Sequence, residues 1–185
     1  MPRGETVVRR TFMDNALQLV IEMNEWTWNR FKADLSDVTP EEIDWRPLPQ
    51  ANTINAILKH LRVEAEWSLV SLEHGQQSPY QDTASVEQLT KSIPLDFARN
   101  LRELDELYTR FIAALRSTTL AALKEQTVLD QVFPGGTPHP AHLLSFRQPL
   151  HLALHWGQIR TIRNLYRKTR GEPERYFPEN PTFPQ

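Results

Sequence analysis

Two histidines stand four residues apart in the segment His151-Leu152-Ala153-Leu154-His155. If the segment is helical, the two imidazoles lie one turn apart on the same face. Imidazoles placed in this way can bind one metal ion, each at about 2.0–2.1 Å. The same spacing also fits two core histidines that hydrogen-bond neighbouring polar groups. Spacing alone favours this second interpretation, since a metal site also needs ligands that converge.

The helix face that carries the two histidines is expected to point into the protein. At about 100° per residue, five positions share that face: His151, His155, Gln158, Ile162 and Leu165. Gln158 could then hydrogen-bond a metal-bound water or a ligand, or it could satisfy a buried backbone group. Gly157 lies in mid-helix, where glycine costs about 1 kcal/mol relative to alanine. Close approach of another backbone or of a ligand would explain it.

His60 is the third candidate ligand. It lies at the margin of the apolar stripe of an earlier helix, next to Leu61, where a partly buried structural histidine is the more frequent case. Three histidines from two facing helices would leave one coordination position open, which is the catalytic pattern. Glu64, four residues after His60, could orient its imidazole. A solvent-exposed glutamate is the slightly favoured alternative.

The same late helix ends in a run of basic residues. These are Arg160, Arg163, Arg167, Lys168 and Arg170. They could attract an anionic thiol or carboxylate. More often such charges complement the helix C-terminus and stay solvated.

Composition limits the chemistry further. The 185 residues suit one domain, with residues 172–185 as a proline-rich C-terminal arm, and the net charge of −2 argues against a nucleic-acid binder. No apolar run is long enough to span a bilayer, and no apolar region follows the N-terminus, so we expect a cytoplasmic protein without membrane partners. The absence of cysteine excludes disulfides, thiolate ligands and a cysteine nucleophile. Any thiol must therefore come from outside.

The elements that must position these residues are helices. Apolar periodicity, caps and prolines predict helices near 11–35, 39–44, 53–73, 85–93, 95–115, 120–125 and 141–170. Thr39 with Glu42 and Ser85 with Gln88 suggest capping boxes. The second long helix is expected to start at Asn52 or Thr53, to carry an apolar stripe from Ile54 to Leu72, and to end at Gly75. Pro149 predicts a kink or restart in the last helix, and residues 130–140 a loop. No convincing strand alternation is present. The pattern predicts an all-α four-helix bundle.

Two blocks of the sequence resemble the DinB/YfiT-like superfamily. They are LSDVTPEEIDWRPLPQANTINAILKHLRVEAEW, residues 35–67, and HLALHWGQIRTIRNLYRKTRG, residues 151–171. The family pattern is a helix-borne histidine in the first block and H-x-x-x-H followed by a glycine-glutamine pair in the second. These map onto His60, His151, His155, Gly157 and Gln158. The resemblance extends over about residues 16–171.

The resemblance implies an antiparallel four-helix bundle, often homodimeric, with one divalent metal ion held by His60, His151 and His155. Zinc or nickel are the first candidates, then iron or manganese. Characterised relatives include transferases and isomerases that use mycothiol, bacillithiol or glutathione. We therefore expect a metal-dependent thiol S-transferase acting on a small molecule with an external thiol. A hydrolase at the same site and a non-catalytic, stress-related metal- or ligand-binding module are the alternatives. Trp156 departs from the family, where many relatives carry arginine, and this would narrow the pocket mouth.

Overall fold

The computed structural model describes residues 3–80, 82–130 and 137–175, and it describes the side chains of residues 15–80, 82–129 and 138–175. The helices are α1 (Arg3–Leu35), α2 (Pro40–Ile43), α3 (Ile54–His74), α4 (Thr83–Ser92), α5 (Phe97–Arg116), α6 (Leu120–Glu125) and α7 (His142–Thr169). A 3₁₀ turn, Gly75–Gln77, follows α3, and two short strands, β1 (Thr127–Asp130) and β2 (Thr137–Pro140), precede α7. The predicted fold class, an all-α four-helix bundle, is confirmed.

Helices α3 and α5 are neighbours that run in the same direction. Arg62 of α3 pairs with Glu103 of α5 at 3.0 Å. Farther along both helices, Glu73 pairs with Arg110 at 3.1 Å. Since both residue numbers rise together, the two helices are parallel.

Helices α1 and α7 form the second parallel pair. Asn24 of α1 bonds Ser145 of α7, and ten residues later Asp34 of α1 bonds Arg160. Helix α7 runs antiparallel to α3 and α1 antiparallel to α5. The four long helices, α1, α3, α5 and α7, therefore have an up-down-down-up order, with α5 diagonally opposite α7.

Side-chain caps fix where the helices begin. As predicted, Thr39 accepts from the amide of Glu42 at the start of α2, and Thr53 caps α3 in the same way. The prediction for α4 was wrong: Asp82 is the cap and Ser85 is the third helical residue. The carboxylate of Asp82 accepts a hydrogen bond from the backbone amide of Ser85 at 2.7 Å. The cap therefore lies three residues earlier than predicted, because the carboxylate of Asp82, rather than the hydroxyl of Ser85, accepts from an amide of the first turn.

The predicted apolar stripe of α3 forms one wall of the core. All seven of its members are buried: Ile54, Ile57, Leu58, Leu61, Ala65, Leu69 and Leu72. Burying a large aliphatic side chain stabilises the fold by about 1.5–3 kcal/mol. At the end of the stripe Gly75 adopts φ +56°, a conformation that side chains with a Cβ disfavour. The predicted glycine stop of α3 is thus confirmed.

A small hairpin links α6 to α7, although the sequence shows no convincing strand alternation. Val128 pairs with His139 in the antiparallel register of β1 and β2. Each strand has only four residues and β2 holds two prolines, so neither shows the alternation that would identify it. Residues 131–136 of the predicted loop lie outside the described residues.

Helix α7 runs without interruption across Pro149, so the predicted restart is not seen. Proline has no N–H to donate to the carbonyl four residues earlier, which belongs to Ser145. That carbonyl instead accepts a hydrogen bond from Asn24 Nδ2 at 3.0 Å, and both residues are buried. The neighbouring helix thus supplies the donor that proline removes.

The described part of the predicted arm folds back on the bundle. The backbone amide of Arg175 donates to Asn164, and its guanidinium pairs with Asp37. The rest of the predicted arm, residues 176–185, lies outside the described residues. Within the described parts of the chain, no helix combines the length and the apolar character needed to cross a bilayer.

Candidate metal centre

Three imidazoles converge where α3 crosses α7. The Nε2 atom of His151 lies 3.2 Å from Nε2 of His60 and 3.0 Å from Nε2 of His155. One nitrogen from each ring lies within 4.8 Å of the others. The structure therefore brings together all three histidines that the sequence analysis selected as ligands.

The spacing of these nitrogens matches the ligands of a single ion. Two nitrogens bound at about 2.05 Å are separated by about 2.9 Å at an angle of 90° and by about 3.3 Å at the tetrahedral angle. The two observed separations fall within that interval. Three neutral imidazoles offer three lone pairs and no charge, which suits a divalent ion with one or more positions open to ligands. The residues present therefore fit a metal.

Packing between α3 and α7 holds the rings in place. Gln148, one turn before His151, bonds the backbone carbonyl of Glu64 at 3.3 Å and the hydroxyl of Ser68. Leu152 is fully buried beside His151. Since α7 is continuous through Pro149, the two α7 histidines keep the one-turn spacing that lets them converge.

Gln158 bonds a histidine of the cluster. Its Oε1 lies 2.8 Å from Nδ1 of His155. If Nδ1 donates to this oxygen, the lone pair of His155 is left on Nε2, which faces the other two rings. Metal-binding histidines commonly have such a partner on their second nitrogen. The contact differs from both roles considered from the sequence, a bound water and a buried backbone group.

Glu64 bonds an arginine rather than His60. Its carboxylate accepts from Arg147 Nη2 at 2.8 Å, and both side chains are mostly buried. Neither sequence interpretation, an exposed glutamate or a partner of His60, matches this contact. Arg147 also lies over the ring of Trp67, 4.8 Å from its centroid. Sequence reasoning missed Arg147, although its position four residues before His151 places it on the same helix face.

The electrostatic environment favours the neutral forms of His60 and His151. Desolvation, with the two other imidazoles and Arg147, lowers the pKa of His151 to about 3. Desolvation also lowers the pKa of the more exposed His60, with further contributions from His155 and Arg147 and an opposing one from Glu64. Histidine binds metal only in its neutral form. At neutral pH these two rings therefore present free lone pairs.

Trp156 faces α1 rather than the mouth of the site. Its Nε1 donates to Asp34 at 2.5 Å, and Arg160 bonds the same carboxylate while lying over the indole ring. The expectation that Trp156 narrows the pocket was wrong. Trp156 directly follows His155, so its side chain leaves the helix about 100° away from that histidine, and it packs against the core.

The basic end of α7 contains one buried arginine. Arg163 is 2% exposed and its Nε donates to Glu42 at 2.7 Å. It also bonds Asp37 and the carbonyl of Asp34. The interpretation of this segment as solvated charges was therefore wrong for Arg163. Glu42 binds this arginine, so the capping box expected from Thr39 is only half formed.

A recess lies beside Gln158, the residue that bonds His155. Its volume is about 280 Å³, and its lining is mainly apolar. The lining residues are Ala51, Asn52, Ile57, Gln158, Thr161 and Ile162. The recess offers a place for the apolar part of a small molecule beside Gln158.

A family model described as the DinB superfamily matches residues 23–159, a range that includes all three histidines. Among curated proteins, none matches the chain.

Two solved structures have the same fold. One, from Exiguobacterium sibiricum 255-15, is described as a candidate member of the DinB family; it is 16% identical, with a TM-score of 0.53, covering 83% of this chain and 91% of its own. The other, YfiT from Bacillus subtilis, is described as a probable metal-dependent hydrolase with an unusual four-helix bundle topology. It is 17% identical, with a TM-score of 0.59, covering 84% and 88%.

Proposed function

This chain belongs to the DinB superfamily, and from that membership and the histidine cluster we propose that it is a metal-dependent enzyme. His60, His151 and His155 hold one divalent ion, with zinc and nickel as the first candidates. The observation that carries the proposal is the convergence of three Nε2 atoms at separations of 3.0 and 3.2 Å.

We favour transfer of an external thiol to an electrophilic small molecule as the reaction. A bond forms between the thiol sulfur and an electrophilic carbon, the leaving group departs with its electron pair, and the thiol proton passes to solvent. A divalent ion at such a site lowers the pKa of a thiol or water at its open position. The chain has no cysteine, so the thiol is a cosubstrate.

The surrounding residues have distinct tasks in this proposal. Gln158 holds the ring of His155 in one orientation and one tautomer. Glu64 holds the guanidinium of Arg147 in place, and the charge of Arg147 helps to keep the pKa values of His60 and His151 low. The recess beside Gln158 receives the apolar part of the substrate.

Hydrolysis at the same site is the second candidate. Its support is the similarity of fold to YfiT, described as a probable metal-dependent hydrolase. Hydrolysis usually needs a general base to activate water. The carboxylate near the cluster that could serve as this base is Glu64, whose charge acts on His60. Glu64 is bound by Arg147. Thiol transfer needs no carboxylate base, and for this reason we place it first.

Metal content is the decisive measurement. Untagged protein, analysed by mass spectrometry for metals, should contain about one equivalent of a divalent ion. His151→Ala should lose it. His74→Ala, which changes an exposed histidine at the end of α3, should keep it. If the wild type binds no metal after addition of nickel or zinc, the histidines are ordinary core residues and the proposal is wrong.

Metal-loaded protein then separates the two reactions. Consumption of glutathione with 1-chloro-2,4-dinitrobenzene reports thiol transfer, and hydrolysis of 4-nitrophenyl acetate without thiol reports the alternative. We expect the first activity to depend on His151 and the second to be weak. The reverse result would favour hydrolysis. Absence of both across a panel of electrophiles and esters would leave a metal-binding module.

A further inference from the structure

Gln158 contacts the histidine cluster and also lines the recess. Its Oε1 lies 2.8 Å from Nδ1 of His155, and its side chain forms part of the wall of the recess of about 280 Å³. Among the described residues that line the recess, no other bonds a histidine of the cluster. A substrate group that enters the recess therefore lies within reach of this amide.

Metal binding determines which end of the Gln158 amide faces His155. A histidine that gives the lone pair of Nε2 to a metal keeps its proton on Nδ1, and this proton needs an acceptor. The amide presents its oxygen there, so the NH₂ group, with its two donors, is directed away from His155. No hydrogen bond within the described residues uses Nε2 of Gln158. Both donors are therefore available to a ligand.

The rest of the recess favours an apolar group. Ile57 and Ile162 lie in its wall and are buried. The hydroxyl of Thr161 already donates to the carbonyl of Gly157 at 3.0 Å, and Asn52 is exposed. The volume is just below the about 300–1,000 Å³ of pockets that hold drug-sized ligands. The recess therefore suits one small ring or a short chain.

Gly157, which precedes Gln158 in α7, leaves this part of the helix surface open. Apart from its chain neighbours and its own helix backbone, no described atom lies within 4 Å of the position that a Cβ would occupy. The sequence offers two reasons for a glycine here, the close approach of another backbone or of a ligand. Since no backbone among the described residues makes this approach, a ligand is the reason that is left.

We propose that Gln158 is a specificity-determining residue, whose Nε2 donates a hydrogen bond to an oxygen of the substrate. The substrate is a small compound whose apolar ring or chain occupies the recess and is bonded directly to a carbonyl group. This inference rests on the proposed function, because metal binding by His155 sets the direction of the amide. A compound without the oxygen binds less well, since it covers the donor and leaves it unpaired.

Two ligands of the same shape test this role. In 4-fluoroacetophenone a carbonyl oxygen is bonded beside the ring, and in 4-fluoro-α-methylstyrene a methylene group takes the place of that oxygen. Fluorine NMR titration of the zinc-loaded protein gives the affinity for each ligand. Because the alkene is the more apolar molecule, the quantity compared between wild type and variants is the ratio of the two affinities, which we call the ketone preference.

Gln158→Glu removes the donor and keeps the contact with His155. The carboxylate still accepts from Nδ1, so competition with a chelator should show that the metal is held at least as tightly as in the wild type. The carboxylate has no hydrogen to donate, so the ketone preference should fall about 2–10-fold, which corresponds to one ordinary hydrogen bond. Asn52→Asp is the matched control, because it adds the same charge to the same recess; the ketone preference should not change.

Three results would overturn the proposal. One is a ketone preference that is unchanged in Gln158→Glu, and another is an equal loss in Asn52→Asp, since charge alone would then explain the effect. The third is a wild type that binds neither ligand up to the limit of solubility. The titrations measure binding and not turnover, so they decide the role of Gln158 even if the metal analysis or the activity assays refute the proposed enzyme.

Discussion

The hydrogen bond between Asn24 and the carbonyl of Ser145 should stabilise α7 only because Pro149 cannot donate to that carbonyl. Both Asn24 and Ser145 are buried, so loss of the amide leaves an acceptor without water or a donor. An unsatisfied buried acceptor costs about 1–3 kcal/mol. For a protein of this size, 2 kcal/mol corresponds to a fall in Tm of about 4–8 °C. We expect Asn24→Ala to lower Tm by about that amount.

A double-mutant cycle isolates the cause. In a Pro149→Ala background, the new N–H can donate to Ser145, so Asn24→Ala should cost at least about 1 kcal/mol less than it does beside proline. Asn100 is the control: it is buried in α5 and its amide donates to the carbonyl of Pro94 at 2.9 Å. Asn100→Ala should be destabilising and additive with Pro149→Ala. Urea unfolding of the wild type and the variants gives the free energies of unfolding that the cycle compares.

The refuting result is equal destabilisation by Asn24→Ala in both backgrounds. It would mean that the amide acts through packing or through its second bond, to the carbonyl of Val20, rather than by replacing the donor that Pro149 lacks. A coupled result would explain how a proline two residues before His151 is accommodated without displacing the metal ligands.

Three further predictions follow from the site and its surroundings. Arg163→Met should destabilise the fold by about 3–5 kcal/mol, because it leaves the buried carboxylate of Glu42 unpaired, whereas Arg167→Met, at a partly exposed position, should change thermal unfolding little. Gln158→Leu should weaken metal binding about 10–100-fold in a competition with a chelator, and unchanged affinity would show that His155 needs no partner. Desolvation lowers the pKa of His151 to about 3, so below pH 6.5 only the unfolded state takes up the proton. The free energy of unfolding of the metal-free protein should therefore fall by up to about 1.4 kcal/mol per pH unit. Unfolding midpoints measured between pH 7 and 4 should show this slope, and His151→Ala should reduce it.

The sequence by itself determined the features that depend on neighbouring residues. The apolar stripe of α3, the caps at Thr39 and Thr53 and the glycine stop at Gly75 were all predicted, because periodicity, capping and φ preference act within one turn of helix. The one-turn spacing of His151 and His155 is local in the same sense. His60 was selected from its stripe and from the family resemblance.

Tertiary structure decided what depends on contacts between distant segments. The burial of Arg163, the pairing of Glu64 with Arg147 and the direction of Trp156 all follow from which helix lies alongside α7, and no local pattern encodes that. Pro149 is the clearest case. Its local rule predicts a break, yet α7 continues, because a buried amide more than a hundred residues earlier in the chain supplies the missing hydrogen bond.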